Sequence, residues 1–160
     1  MSKHITVATL NLLNDMRRWE ARRDLIVEGF QRIRPDLIAL QEVVLPLNTA
    51  EWLAQMLGGY SVHLTPKTGA RLSQREGIAI LSRIPVRHTD WLDLGSQNRV
   101  AQASVVNVHD RSLLFVNSHL HWYPGDSSAR FKQVQLLQNW LQHQQRQHPR
   151  SGVVICGDFN

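Results

Sequence analysis

Residues 153–160 read Val-Val-Ile-Cys-Gly-Asp-Phe-Asn, a short β-branched run that stops at a glycine and then delivers a carboxylate and an amide. A run of this length and composition suits a buried strand better than a helix. The same grammar recurs upstream. Residues 113–116 (Leu-Leu-Phe-Val) run into Asn117-Ser118-His119, residues 37–40 (Leu-Ile-Ala-Leu) into Gln41-Glu42, and residues 5–10 (Ile-Thr-Val-Ala-Thr-Leu) into Asn11. Four apolar strands thus each carry a polar or ionisable group at the carboxyl end. If they are neighbours pointing the same way, Asn11, Glu42, His119, Asp158 and Asn160 share one polar pocket above an apolar sheet.

Further strands are predicted at residues 77–81, closed by Ser82-Arg83-Ile84-Pro85, and at 101–108, which pairs with 113–119 through the turn at Asp110-Arg111. Helices fill the gaps. Over residues 16–34, Trp19, Ile26, Phe30 and Ile33 fall on one face, while Arg17, Arg18, Arg22 and Arg23 make a solvated basic half. Thr49–Leu57 has Asn48 as cap with Glu51 three residues on, and stops at Gly58-Gly59. A third helix over 127–148 places Phe131, Val134, Leu137 and Leu141 on a core stripe and turns its glutamines to solvent. The fold class is α+β, a mixed sheet covered by helices rather than a strict alternation around parallel strands.

Composition narrows the function classes. The chain has 160 residues, 42% hydrophobic and 19% charged, which is ordinary globular usage and sets aside disordered and low-complexity classes. The expectation is one domain over residues 1–160. A net charge of +5 favours polyanionic partners such as nucleic acid or anionic headgroups. Cys156 is the single cysteine, so no internal disulfide forms and a cytoplasmic address is expected. The first strand is too polar for a signal-peptide core, and no apolar run reaches membrane-spanning length.

The pocket is rich in oxygen donors and poor in thiols. Two carboxylates, side-chain amides and one imidazole suit Mg²⁺, a cation that keeps several waters and binds substrate phosphate. Metal-assisted phosphoester hydrolysis is the chemistry implied. The pair His119 and His121 invites a zinc reading, but Tyr123 and Pro124 stand where further ligands belong, so His121 is read as a rim residue. Trp122, beside these histidines, is a candidate for lining the substrate groove.

Taken in order, Asn11 in Ala-Thr-Leu-Asn, Leu40-Gln41-Glu42, the Gly77 to Arg83 strand with Pro85, Asn117-Ser118-His119-Leu120 and Gly157-Asp158-Phe159-Asn160 resemble the endonuclease/exonuclease/phosphatase superfamily, which includes deoxyribonuclease I-like nucleases and bacterial-type sphingomyelinases. The resemblance implies part of a four-layer α/β/β/α sandwich and a phosphodiesterase or phosphomonoesterase dependent on Mg²⁺, or on Mn²⁺. It implies that Glu42 is the principal metal ligand, with Asn11 beside it on the metal or a phosphate oxygen. Asp158 and Asn160 would activate the attacking water and hold the phosphate, and His119 would donate to a non-bridging oxygen or assist the leaving group. Arg99 would lie near the substrate rim, and Arg130 with Gln133 would be structural. The substrate would be a phosphate ester, with nucleic acid favoured by charge.

The superfamily's Ser-Asp-His motif, whose His and Asp act as an acid/base pair, has no counterpart here. The expectation is therefore a domain truncated after Gly-Asp-x-Asn, with a sheet edge and an apolar face left to associate. The alternative functional reading is a truncated or degenerate member that binds metal, phosphate or a partner without turnover.

Overall fold

The computed structural model describes residues 4–69, 75–125 and 127–160. Eight strands and three α-helices follow in the order β1 (Val7–Asn11), α1 (Trp19–Ile33), β2 (Leu37–Val44), α2 (Thr49–Leu57), β3 (Ser61–Pro66), β4 (Glu76–Ser82), β5 (Val86–Asp93), β6 (Val100–Val108), β7 (Arg111–His119), α3 (Ser127–Gln147) and β8 (Gly152–Asp158). The expected α+β architecture of mixed sheet and covering helices is present as two four-stranded sheets, ordered β1-β2-β4-β3 and β5-β6-β7-β8, as the α/β/β/α resemblance implies. Each is itself mixed. β1 runs parallel to β2 and β7 parallel to β8, and the remaining pairs are antiparallel.

Three apolar layers hold this together as a helix-sheet-sheet-helix sandwich. Val27 and Phe30 of α1 and Ala50 and Leu53 of α2 pack on Ile38, Leu40, Ala79 and Leu81. Leu37, Ala39, Ile80, Val106 and Phe115 meet between the sheets. Leu137, Trp140 and Leu141 of α3 pack on Ala101, Ala103, Leu114 and Val116. Strands buried on both faces need continuous apolar runs, which is why residues 37–40 and 78–81 show no alternation.

The helices start and stop where the sequence signals, with informative departures in the faces they bury. Asn48 caps α2, its side chain accepting from the Glu51 N–H. Residues 16–18 form a short 3₁₀ turn before α1, capped by Asp15, and Arg34 ends α1 in the left-handed region ahead of Pro35. Val27 takes the core position expected of Ile33, which is 57% exposed. In α3 the expected stripe is corrected more strongly: Phe131 is 64% exposed, whereas Gln133 and Gln144 are buried. Polar partners inside explain the burial. Gln144 and the Trp140 indole both donate to Asp90 on β5, and Gln133 binds backbone groups described below. Nor is the basic half of α1 all solvated, since Arg22 donates to the carbonyls of Leu12, Leu13 and Asp15 and so ties down the loop after β1.

Two local devices aim the strand ends. Between Leu40 and Val43 the β2–β4 register shifts, and Glu42 sits in the left-handed region at φ 56°. A bulge of this kind turns a side chain out of the strand's regular alternation. Below it, the fully buried Asn117 fastens the two sheets, its amide donating to the carbonyls of Leu40 and Ala79 and its oxygen accepting from Gln41 Nε2 at 2.7 Å. Among the described residues no helix is long and apolar enough to cross a membrane.

Candidate active site

The parallel pairs place Asn11 beside Gln41 in one sheet and His119 beside Asp158 in the other. Carboxyl ends from both sheets therefore open at the same place. Asn11 joins them: its Nδ2 donates to Glu42 Oε1 at 3.1 Å and to Asp158 Oδ2 at 2.8 Å, while its oxygen accepts from the Leu13 N–H. Glu42 Oε2 accepts from the Asn14 N–H at 2.8 Å. The bulge and one amide thus bring two carboxylates from different sheets together.

His119 and Asp158 complete this side. His119 is buried, and its Nε2 lies 3.8 Å from Asp158 Oδ2. Asp158 Oδ1 accepts from the Asn160 N–H, and the Asn160 side chain donates to the Leu120 carbonyl, locking the turn after β8 onto the end of β7. Burial raises the Asp158 pKa, but the hydrogen bonds from Asn11 and Asn160 and the charges of His119 and Arg99 hold it below the ordinary carboxylate range.

Arg99 is not on a rim. It is 4% exposed, beneath the site, with Nη1 2.6 Å from His119 Nδ1 and 3.6 Å from Glu76 Oε1. Glu76 was not foreseen from the sequence, nor were its partners. This buried carboxylate is ion-paired with Lys67, which is also buried, and accepts from Asn14 Nδ2 at 2.7 Å. Burial lowers the pKa of both Lys67 and Arg99, and Glu76 opposes the fall in each. The one sequence signal for Glu76 is its place at the head of β4, directly before Gly77. A Cβ at Gly77 would lie 2.6 Å from the Thr65 carbonyl oxygen, so only glycine lets β3 and its following Lys67 approach so closely.

His121 is likewise buried rather than at the rim, with Nδ1 2.8 Å from Ser96 Oγ. Gln133 accepts from the His121 N–H and donates to the Ser96 carbonyl, and Arg130 donates to the carbonyls of His121 and Tyr123. These contacts fix the backbone after β7. Trp122 and Tyr123 stay exposed on this segment, their rings 5.7 Å apart.

The donor set fits a hard cation. Among the described residues no group of three or more His, Cys, Asp or Glu side chains is placed to hold a metal. Glu42 and Asp158 supply two convergent carboxylates with amides beside them, and Mg²⁺ characteristically binds through one or two carboxylates while keeping its waters. Histidine-rich zinc coordination has no such basis here.

Burial and the Arg99 guanidinium push the His119 imidazole down to about 4. An unfolded-state histidine titrates near ~6.5, so between these values the unfolded chain binds more protons and acidification through that window lowers stability. Urea unfolding at about pH 7 and about pH 4.5 is expected to show a larger stability loss in the wild type than in His119→Gln. Equal losses would mean the ring protonates as readily folded as unfolded.

The sequence profile of the Endonuclease/Exonuclease/phosphatase family matches residues 8–160, from β1 to the turn after β8. The chain belongs to this family. It is 25% identical over 153 residues to Carbon catabolite repressor protein 4 homolog 3 of Arabidopsis thaliana, covering 89% of this chain and 33% of that protein. Sphingomyelin phosphodiesterase 5 of Danio rerio is 25% identical over 154 residues, covering 78% of this chain and 28% of its own length. The chain thus spans about a third or less of these two relatives. The human Nocturnin catalytic domain superposes with a TM-score of 0.82 at 26% identity, covering 98% of this chain and 64% of that structure.

Proposed function

We propose that this protein hydrolyses phosphoester bonds with the help of Mg²⁺, and that Glu42, Asn11, His119, Asp158 and Asn160 form the metal-holding and phosphate-facing side of its catalytic pocket. The observation that supports this best is the single Asn11 amide joining Glu42 and Asp158 across two sheets. Glu42, with Asn11 beside it, is the proposed metal ligand. When bound, the cation supplies charge neutralisation at the phosphoryl oxygens and lowers the cost of the leaving alkoxide. The chain's own groups do the rest. Asp158, held ionised, orients the attacking water, and Asn160 keeps Asp158 aimed by donating its backbone N–H. His119 donates a hydrogen bond to a non-bridging oxygen of the phosphate.

Substrate choice follows from charge. The net charge of +5 favours a polyanion, and nucleic acid is the substrate class we propose. A cytoplasmic setting fits the lone cysteine, Cys156, whose thiol burial pushes up to about 12 and so leaves inert.

The test uses the protein at its full length. Hydrolysis of single-stranded RNA and DNA is expected with Mg²⁺, to vanish with chelator and to return on adding Mg²⁺ back. Hydrolysis that survives exhaustive chelation would overturn the metal assignment, and no hydrolysis of nucleic acid, phospholipid or an aryl phosphodiester under any divalent cation would overturn the enzyme.

A further inference from the structure

The hydrogen-bond chemistry of Arg99 has a consequence for His119. A guanidinium carries donors and no acceptor. With Arg99 Nη1 at 2.6 Å from His119 Nδ1, that ring nitrogen must present its lone pair, which puts the proton of the neutral ring on Nε2. Nε2 is the nitrogen that faces Asp158 Oδ2, 3.8 Å away.

Resting on the hydrolase reading above, we propose that Arg99 is a positioning residue, anchored by Glu76, which fixes His119 as the Nε2-protonated tautomer and so makes it a standing hydrogen-bond donor to the phosphate instead of a proton shuttle. A ring that gave up its Nε2 proton to become a base would need a second proton source at Nδ1, where two donors would then oppose each other. The arrangement therefore permits donation and blocks relay.

The anchoring is visible on both sides of Arg99. Its backbone is pinned where β6 begins, the Leu94 N–H donating to its carbonyl at 2.8 Å. Its head group is held near Glu76 Oε1, and Glu76 is in turn fixed by Lys67 and Asn14. Arg99, Glu76, Lys67 and His119 are all buried, so the line from carboxylate to guanidinium to imidazole is shielded from water. In a low-dielectric setting such charge-assisted contacts hold geometry firmly. This also explains why an arginine expected at the substrate rim lies underneath it.

The decisive measurement needs no turnover. Nitrogen NMR on the full-length protein with ¹⁵N-labelled histidine, assigned with His119→Gln, is expected to show one His119 tautomer, protonated at Nε2 and bare at Nδ1. A ring protonated at Nδ1, or an even mixture, overturns the proposal even if every variant misfolds. Arg99→Gln, which offers an acceptor as well as a donor, is expected to give mixed tautomers and a loss of about 10–100-fold in kcat on bis(p-nitrophenyl) phosphate, with KM little changed. Glu76→Gln is expected to do the same more mildly, and Arg99→Lys, again donor only, to restore the single tautomer. An unchanged tautomer in Arg99→Gln overturns the role of Arg99. Because the tautomer is read without substrate, an inactive protein with the expected tautomer refutes the hydrolase reading and leaves the device standing. An active protein with the wrong tautomer does the reverse.

Discussion

Gly157→Ala is expected to lower stability by about 4 kcal/mol, the sum of a glycine-only backbone and a hard overlap. Gly157 has φ +142°, and a Cβ built there would lie 1.9 Å from the Ser118 carbonyl oxygen and 2.8 Å from two further backbone atoms of Ser118. No rotamer relieves a clash with backbone, so β8 has to move away from β7. The consequence reaches the site at once, because Gly157 pairs with Ser118 while the next pair is His119 with Asp158. Stability and hydrolysis should therefore fall together in this variant, read by urea unfolding and by the nuclease assay on one preparation. A Gly157→Ala protein as stable as the wild type would mean that the two strands do not approach this closely.

That glycine shows how legible the site was. Val-Val-Ile-Cys-Gly-Asp reads as a strand that stops at a glycine and then offers a carboxylate, and β8 does so, while the close backbone approach that requires the glycine shows only in the structure. The runs that deliver Glu42 and His119 were legible because β2 and β7 are buried on both faces and leave uninterrupted apolar text. β1 and β8, expected to be buried, are edge strands with Val7 and Ile155 exposed, and only their β-branched composition marked them as strands. The α/β/β/α layering rested on the family resemblance, since local periodicity does not say how strands divide between two sheets. β3 and β5 left no such text. They contribute polar residues such as His63, Arg87, His88 and Asp90, and both are edge strands with one side unpaired.

What stayed hidden depends on contacts between residues far apart in sequence. Glu76 is one charged residue ahead of a strand, and its weight comes from Lys67, Arg99 and Asn14, which no spacing rule links to it. Gln144 looked like a solvent-facing residue in a glutamine-rich helix, yet it finds a partner in Asp90, while Gln133, structural by the family resemblance, ties His121 to Ser96. Arg99 was expected at the rim from the family resemblance, and His121 because no further zinc ligands follow it. Here their hydrogen bonds are made inside. Sequence pattern reports burial well for apolar residues and poorly for polar ones whose cost is met by a distant partner.

Glu42 separates stability from chemistry most sharply. Its backbone occupies the left-handed region, a conformation that costs a non-glycine residue roughly 1–2 kcal/mol. Its carboxylate also sits opposite that of Asp158, with one Asn11 amide between them. A left-handed non-glycine residue is held there by its surroundings, and such positions cluster at functional sites. Glu42→Gln keeps the shape but only one of the two accepting oxygens, setting its NH2 against either Asn11 Nδ2 or the Asn14 N–H, so its melting temperature without metal should fall only by the few degrees that one lost hydrogen bond costs. Hydrolysis should nevertheless fall by about 10³-fold or more, as several kcal/mol of charge stabilisation in the transition state is lost with the cation. Calorimetric titration with Mg²⁺ should lose its signal in the same variant. Glu42→Gly, which relieves the backbone but keeps neither oxygen, should be equally inactive. Should Glu42→Gln bind Mg²⁺ and turn over like the wild type, this carboxylate would have no part in holding the metal, and the bulge in β2 would need another explanation.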